Sequence, residues 1–348
     1  MTFKEVIDRN LETLADSKTK GWMKYAFHYT DISNAVSILD SGKLYSRINA
    51  ESMGIMHSDN ASNQVIEMTN SSATSHVRFY FRPQTPTQYY NEGFKHCKLR
   101  FDNDSKANVP VPIFFVFNLE KLLRREGTLF SEKQQSGHGS PLYKTPEEFS
   151  EFNFAKIYGY GAMAEPSLDK QYRHGEILVP DFLEIVEYLE LILCRNDVEK
   201  MTLINLLKDK NRLAFRQYKD RIKVHSANYF ENNGLYVNEC QFYKNRITIT
   251  FSDTSYKKRY TDRMMRILSV SENDLDPIDS RAELDWISGD TTLVHRAAAL
   301  SIRYRNPQRI TIKTFEPPKQ AKKIRIKFFM QDMLVCLVEQ PLSEVEVI

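Results

Sequence analysis

The sequence predicts an α+β protein in two parts, a mixed first part followed by an all-β second part. Three observations carry this. Up to about residue 222, stretches with apolar residues at helical spacing stand among short unbroken apolar runs such as Ile113-Phe114-Phe115-Val116-Phe117. After Gly234, short apolar stretches follow one another closely, separated by Pro, Gly and Asn turns. The charge divides in the same way: residues 211–348 carry 23 Lys/Arg against 17 Asp/Glu, and residues 1–210 carry 25 against 28. A basic second part suits a polyanionic partner, while any single cluster reads first as a solvated surface.

With 348 residues, 41% hydrophobic and 27% charged, the chain is a globular protein with room for two domains, placed at 1–222 and 235–348. No apolar run approaches the roughly 18 residues of a membrane span. Residues 1–20 lack the apolar core of a signal peptide. Cys97, Cys194, Cys240 and Cys336 stand far apart, with no metal-type pairing. A reduced, cytoplasmic setting is expected, with no metal and no membrane.

Along the chain, Phe3, Val6, Ile7, Leu11 and Leu14 have helical spacing, which predicts a helix over 3–19. Trp22 to Tyr29 reads as a first strand, and Asp31 or Ser33 caps a helix that Gly42 ends. Residues 49–75, rich in Asn, Ser, Thr and Met, read as an irregular insertion. Val77 to Phe81 is a strand, and Pro83 and Pro86 open a turn and a short helix. Pro112 to Asn118 is a strand buried on both faces, followed by a helix to Glu126. Residues 130–172 read as loop around one helical piece, where Thr145 and Glu148 form a capping box. Glu176–Val179 and Tyr188–Cys194 are strands, and Asp197 caps a helix through Leu207 that continues as charged helix to about Ile222. Seven strands are expected beyond: 247–251, 266–270, 292–294, 299–304, 310–314, 324–329 and 333–338, forming a sandwich.

The chemistry-bearing residues gather at strand ends. His174-Gly175-Glu176 sets a carboxylate at the start of an apolar strand. Such a group suits hydrogen bonding to a ribose 2′-hydroxyl as positive charge develops during cleavage of a glycosidic bond. Arg47 can hold a pyrophosphate bidentately, which Lys43 cannot. His28 can hold a ribose or carboxamide through a ring nitrogen, and Tyr80 and Phe81 can stack on nicotinamide. Taken singly, each has an ordinary structural reading: surface glutamate, surface arginine, satisfied histidine, aromatic core. No Walker loop, zinc spacing or Gly-x-Gly-x-x-Gly appears.

Four blocks stand in a telling order. They are His28-Tyr29-Thr30 with Asn34; Gly42-Lys43-Leu44 with Arg47; Phe79-Tyr80-Phe81-Arg82-Pro83-Gln84-Thr85-Pro86; and Gly175-Glu176-Ile177-Leu178-Val179. From about Trp22 to Leu207 the chain thereby resembles the DarT family of nucleic-acid ADP-ribosyltransferases, toxins of toxin–antitoxin and phage-defence systems. The resemblance implies an ADP-ribosyltransferase fold, a split β-sheet core with helices, ahead of the sandwich-like domain. It implies NAD as co-substrate and transfer of ADP-ribose to a base in single-stranded DNA, with nicotinamide released. It implies Glu176 and Arg47 as catalytic, and His28, Tyr29, Thr30, Asn34, Leu44, Arg47, Tyr80 and Phe81 as NAD-binding. Arg82, Gln84, Thr87, Lys170, Tyr172 and Arg173 are the residues expected on nucleic acid, since an aromatic ring stacks a base while cations hold phosphates. Gln84 stands where many relatives carry Arg, Thr87 where many carry Met, and His138 lies in a loop unlike theirs. An RNA substrate, or an inactive module binding nucleic acid or a partner, are the alternatives. An antitoxin protein is the expected partner, and the domain from 235 is expected to bind substrate or partner.

Overall fold

The structure, a computed structural model, describes residues 1–14, 17–55, 74–100, 108–135, 140–161, 163, 165–225 and 228–345, without the side chains of 17 and 18. The chain forms two compact units. The first comprises 1–90, 113–193 and 220–231; the second comprises 91–112, 194–219 and 232–348. Residues 91–112 and 194–219, placed by sequence in the first part, thus fold with the second.

The first unit is built on strands β1 (Tyr25–Asp31), β2 (Lys43–Tyr45), β3 (His76–Tyr80), β4 (Pro112–Asn118), β5 (Leu129–Ser131), β6 (Glu176–Pro180), β7 (Phe182–Glu184), β8 (Leu189–Cys194) and β9 (Ile222–Val224). Seven of them form one sheet in the order β5-β6-β3-β1-β4-β8-β9, while β2 and β7 pair as a ribbon. The continuous apolar run of β4 is explained by its central place. Phe114 packs with Phe27 and Tyr29, and Phe117, on the alternate face, packs with Phe79. Each such buried ring contributes roughly 1.5–3 kcal/mol.

Register shows where the sheet is weakest. β3 and β6 pair antiparallel from His76↔Pro180 to Tyr80↔Glu176, and β5 adds to β6 from Leu129↔Leu178 to Ser131↔Glu176. Between β1 and β3 the described register has a single pair, Phe27↔Tyr80. The sheet is therefore split between these strands in all but one place.

Local signals set the flanking helices. Thr2 and Glu5 form a capping box on Phe3–Thr13, whose Phe3 packs against Phe130 and Phe149. The helix is shorter than expected, and a separate turn, Ser17–Lys20, follows. Asp31 caps Ile32–Ser41, and Gly42 ends it at φ 68°. The expected capping box of Thr145 and Glu148 is formed on Pro146–Ser150. The stretch before Glu176, read as loop, contains a helix, Pro166–Tyr172, with proline in its first turn and Asp169 near its positive end. Of the expected insertion at 49–75, residues 56–73 lie outside the described residues.

The second unit holds β10 (Val237–Tyr243), β11 (Arg246–Phe251), β12 (Ile278–Ser288), β13 (Thr291–Ile302), β14 (Ile310–Lys313), β15 (Lys323–Met330) and β16 (Met333–Pro341). They form two antiparallel sheets, β10-β11-β14 and β13-β12-β15-β16. The helix Asp197–Lys210 closes the free edge of β16: Thr202 Oγ1 accepts from Leu337 N at 2.9 Å, and Asn205 Nδ2 donates to Leu337 O at 3.1 Å. Two expectations are corrected. Residues 266–270, read as a strand, largely belong to the helix Ser255–Leu268, which Thr254 caps. The pieces 292–294 and 299–304 are one strand, β13, and β10 and β12 are additional.

Candidate active site

Glu176 opens β6 opposite Tyr80 and is 1% exposed. A buried carboxylate needs a cation or several donors, and β3 supplies the cation. Arg78 Nε donates to Glu176 Oε2 at 2.8 Å and Nη2 to Oε1 at 2.6 Å, a bidentate pair. The Gln135 backbone N–H approaches Oε1 at 3.4 Å. Because side chains alternate along a strand, His76, Arg78 and Tyr80 share the face of β3 that presents Glu176. Burial weighs against the charge of Arg78, but the Glu176 carboxylate outweighs it and raises its pKa. Burial raises that of the Tyr80 hydroxyl.

The turn ahead of Glu176 is tightly fitted. A Cβ on Gly175 would stand 2.9 Å from the Glu132 carbonyl and 3.1 Å from the Phe81 ring, so only glycine fits. His174 Nδ1–H donates to Lys170 O at 3.1 Å, and Nε2 meets the Thr87 hydroxyl at 3.1 Å. Burial pushes its pKa down to about 4, so the ring is neutral.

His28 sits at the split. Phe27 opposes Tyr80, so His28 lies on the alternate face of β1, its ring 6.1 Å from Phe79 and 6.4 Å from Phe115. Its Nδ1–H donates to the Arg78 carbonyl at 3.1 Å, reaching across where the strands no longer pair. Burial lowers its pKa, which leaves Nε2 as an acceptor. Thr30 is buried and accepts from Asn34 Nδ2 at 3.3 Å, Tyr29 packs on Phe114, and Leu44 is buried in β2.

Arg47 stands elsewhere. Its neighbour Ser46 donates from its backbone N to Asp181 O at 2.7 Å, just past the far end of β6. Five residues at the strand rise place that end roughly 16 Å from Glu176. Arg47 opens the helix Arg47–Ser52 and pairs with Glu51 at 3.0 Å. The cation on Glu176 is Arg78, which sequence reading passed over; its signal was a lone charge inside the strand Val77-Arg78-Phe79.

Two expected contact residues lie inside the fold. Phe81 is wholly buried and stacks on Phe149 at 5.8 Å, edge-on to Phe152, so it offers no ring face to nicotinamide. Arg82 is 2% exposed; it donates to the carbonyls of Pro83, Ile157 and Gly159 and lies over Trp22. Burial lowers its pKa to about 9. It braces the loop at Gly159.

The remaining expected residues are held by contacts of their own. Gln84, at φ 56°, donates its backbone N–H to Gln88 Oε1, and its side chain points to Phe230 O. Tyr172 is flanked by Lys133 at 4.6 Å and Lys156 at 5.4 Å, two cations not foreseen. Arg173 donates to Gly161 O, and Lys170 is exposed one turn earlier. His138 lies outside the described residues. Among the described residues, no group of His, Cys, Asp and Glu is arranged to hold a metal ion.

The profile of a family described as DarT, ssDNA thymidine ADP-ribosyltransferase, matches residues 27–230. Among solved structures, Thermus sp. 2.9 DarT in complex with ADP-ribosylated ssDNA is similar at 16% identity and a TM-score of 0.48, over 60% of this chain and 96% of that one. The same Thermus protein in complex with NAD+ is similar at 15% identity and a TM-score of 0.45, over 60% and 98%. Thermosipho africanus DarTG in complex with ADP-ribose matches at 16% identity and a TM-score of 0.45, over 63% of this chain and 53% of that one. No curated protein matches the chain.

Proposed function

Because the chain belongs to the DarT family of single-stranded-DNA ADP-ribosyltransferases, we propose that Glu176 and Arg78 form the centre at which NAD is cleaved. The chain transfers ADP-ribose from NAD to single-stranded DNA. The observation that supports placing the chemistry here is a carboxylate fixed by two hydrogen bonds on a rigid strand, beside the split in the sheet.

As the nicotinamide–ribose bond breaks, the ribose gains oxocarbenium character. A carboxylate accepting from the 2′-hydroxyl is then worth more than in the ground state. Arg78 acts as a positioning residue: its two hydrogen bonds fix the orientation of the buried carboxylate. His28, with Nδ1 committed to Arg78 O, offers Nε2 to a ribose hydroxyl or carboxamide N–H. Tyr29, Thr30, Asn34, Leu44 and Tyr80 complete the NAD surface in this reading. Arg47, at the far end of β6, is assigned to the phosphates. Tyr172, between Lys133 and Lys156, stacks on the DNA with Lys170, Arg173, Gln84 and Thr87 around it. The family's description makes thymidine the base to test first.

We further propose that the protein is the toxin of a toxin–antitoxin pair, since a bulky adduct on a template base blocks copying. An antitoxin protein would be its partner. Among the described residues no helix is long and apolar enough to cross a membrane. The four cysteines are free, which suits a reduced cytoplasm.

Mass spectrometry of single-stranded DNA and RNA oligonucleotides, incubated with NAD and the protein or its Glu176→Ala variant, tests the reading. An ADP-ribose addition on DNA that vanishes with the variant is expected. Transfer retained by the variant would remove Glu176 from the mechanism, and addition to RNA alone would reassign the substrate.

A further inference from the structure

The helix Ser255–Leu268 of the second unit has two sharply different sides. Lys257, Tyr260, Thr261 and Met264 are buried. At about 100° per residue they occupy one arc of the helix. Tyr256, Arg259, Arg263 and Arg266 fall on the opposite arc, and all four are exposed. Arg259 lies over the Tyr256 ring at 4.9 Å. The stripe is thus an aromatic ring followed by three guanidinium groups.

Cations outnumber acids in this helix, although Arg263 makes a contact of its own and Arg266 Nε donates to the Asp262 carbonyl at 3.2 Å. The helix carries Lys257, Lys258, Arg259, Arg263 and Arg266 against Asp262 alone. Asp262 is engaged by Arg305 at 3.1 Å, and Arg305 also pairs with Glu272. Lys258 is matched by Asp253 at 2.8 Å. Arg259 and Arg263 are four residues apart, where like charges repel. Helix stability alone favours an acid at one of these two positions. The neighbouring segment adds to the field: Arg305 is held against the helix through Asp262, and Arg303, two residues earlier, is exposed.

We propose that this face binds the backbone of single-stranded DNA, with the three arginines on phosphates and Tyr256 stacked on a base. It is a second contact for the DNA strand, in addition to the one assigned around Tyr172, and it rests on the reading of the chain as an enzyme of single-stranded DNA. From Arg259 to Arg266 the helix rises about 10 Å. At about 3.4 Å per nucleotide that length serves roughly three phosphates. Guanidinium groups suit phosphate oxygens, and every base has a face for the ring, so the contact is independent of sequence.

The test uses the full chain without NAD, so that binding is read apart from transfer. Anisotropy of a labelled single-stranded 20-mer is followed between about 50 and 200 mM salt. Replacing Arg259, Arg263 and Arg266 together by Ala is expected to weaken binding about ten- to hundredfold. The log–log salt slope is expected to fall by about 2, since each phosphate contact on a single strand contributes about 0.7. Tyr256→Ala is expected to weaken binding about tenfold with little change of slope. The corresponding triple Lys variant should keep the slope, which guards against a loss caused by unfolding. Unchanged affinity and slope in the triple Ala variant overturn the proposal. So does a wild-type chain that binds vesicles of anionic lipid through these arginines and not the oligonucleotide. If wild type transfers no ADP-ribose but the triple variant still loses DNA, the assigned reaction fails and this surface stands.

Discussion

Arg78→Ala removes the guanidinium while leaving a carboxylate that is 1% exposed. Arg78 itself is 28% exposed. The two single truncations are therefore unequal. Without Arg78, Glu176 keeps among the described residues only the distant Gln135 N–H, and a buried charge without its partner costs about 3–4 kcal/mol. Without Glu176, Arg78 can draw on water, and the loss is about 1–2 kcal/mol. Removing both leaves no orphan charge, so the double variant should lose about 3 kcal/mol rather than the roughly 5 of simple addition. At about 2–4 °C per kcal/mol, Arg78→Ala lowers the melting temperature by roughly 10 °C. Urea unfolding of the four proteins of this cycle supplies the numbers. Equal losses for the two single variants, with strict additivity in the double, would refute the buried pair and the positioning role drawn from it.

Further outcomes follow from the same geometry. Gly175→Ala should reduce transfer at least tenfold in a single-turnover assay, because its Cβ meets the Glu132 carbonyl at 2.9 Å and the adjoining Glu176 must shift. His174 has a pKa lowered to about 4, below its unfolded value near 6.5. Its contribution to stability is complete above about pH 6.5 and is lost as pH falls toward 4, up to about 3 kcal/mol; the acid limb of a pH–stability curve should flatten in His174→Gln. Arg82→Ala should lower stability by a few kcal/mol, as three carbonyls lose their donor, yet leave the salt dependence of DNA binding unaltered. Tyr172→Ala should raise KM for the oligonucleotide about tenfold with kcat less affected, as measured by steady-state transfer.

What the sequence disclosed depended on how local the cause was. The run 113–117 betrays a central strand because both its faces are buried, and Thr145 with Glu148 betrays a helix start because a cap is complete within four residues. Glu176 was singled out from its place before an apolar strand. Arg78 was missed because its partner is 98 residues away and only the antiparallel register of β3 and β6 brings them together. The burial of Phe81 and Arg82 was hidden for a related reason: a strand end says nothing about whether an aromatic cluster or a bracing loop will enclose it. In the second unit, β13 was broken into two because His295, Arg296 and two alanines interrupt its apolar pattern, which is what an exposed edge strand permits. The end of the helix Ser255–Leu268 read as a strand because Ile267, Leu268 and Val270 make an apolar stretch too short to reveal the period.

The interleaving of the two units bears on how such a protein can be altered by deletion. The chain passes from one unit to the other five times. A stop codon placed after residue 230, where the family match ends, would not release a tidy catalytic fragment. It would strand the helix Asp197–Lys210 without the sheet it covers, leaving Thr202 and Asn205 deprived of Leu337. A deletion or exchange that takes one unit and leaves the other whole must therefore cut at several points at once.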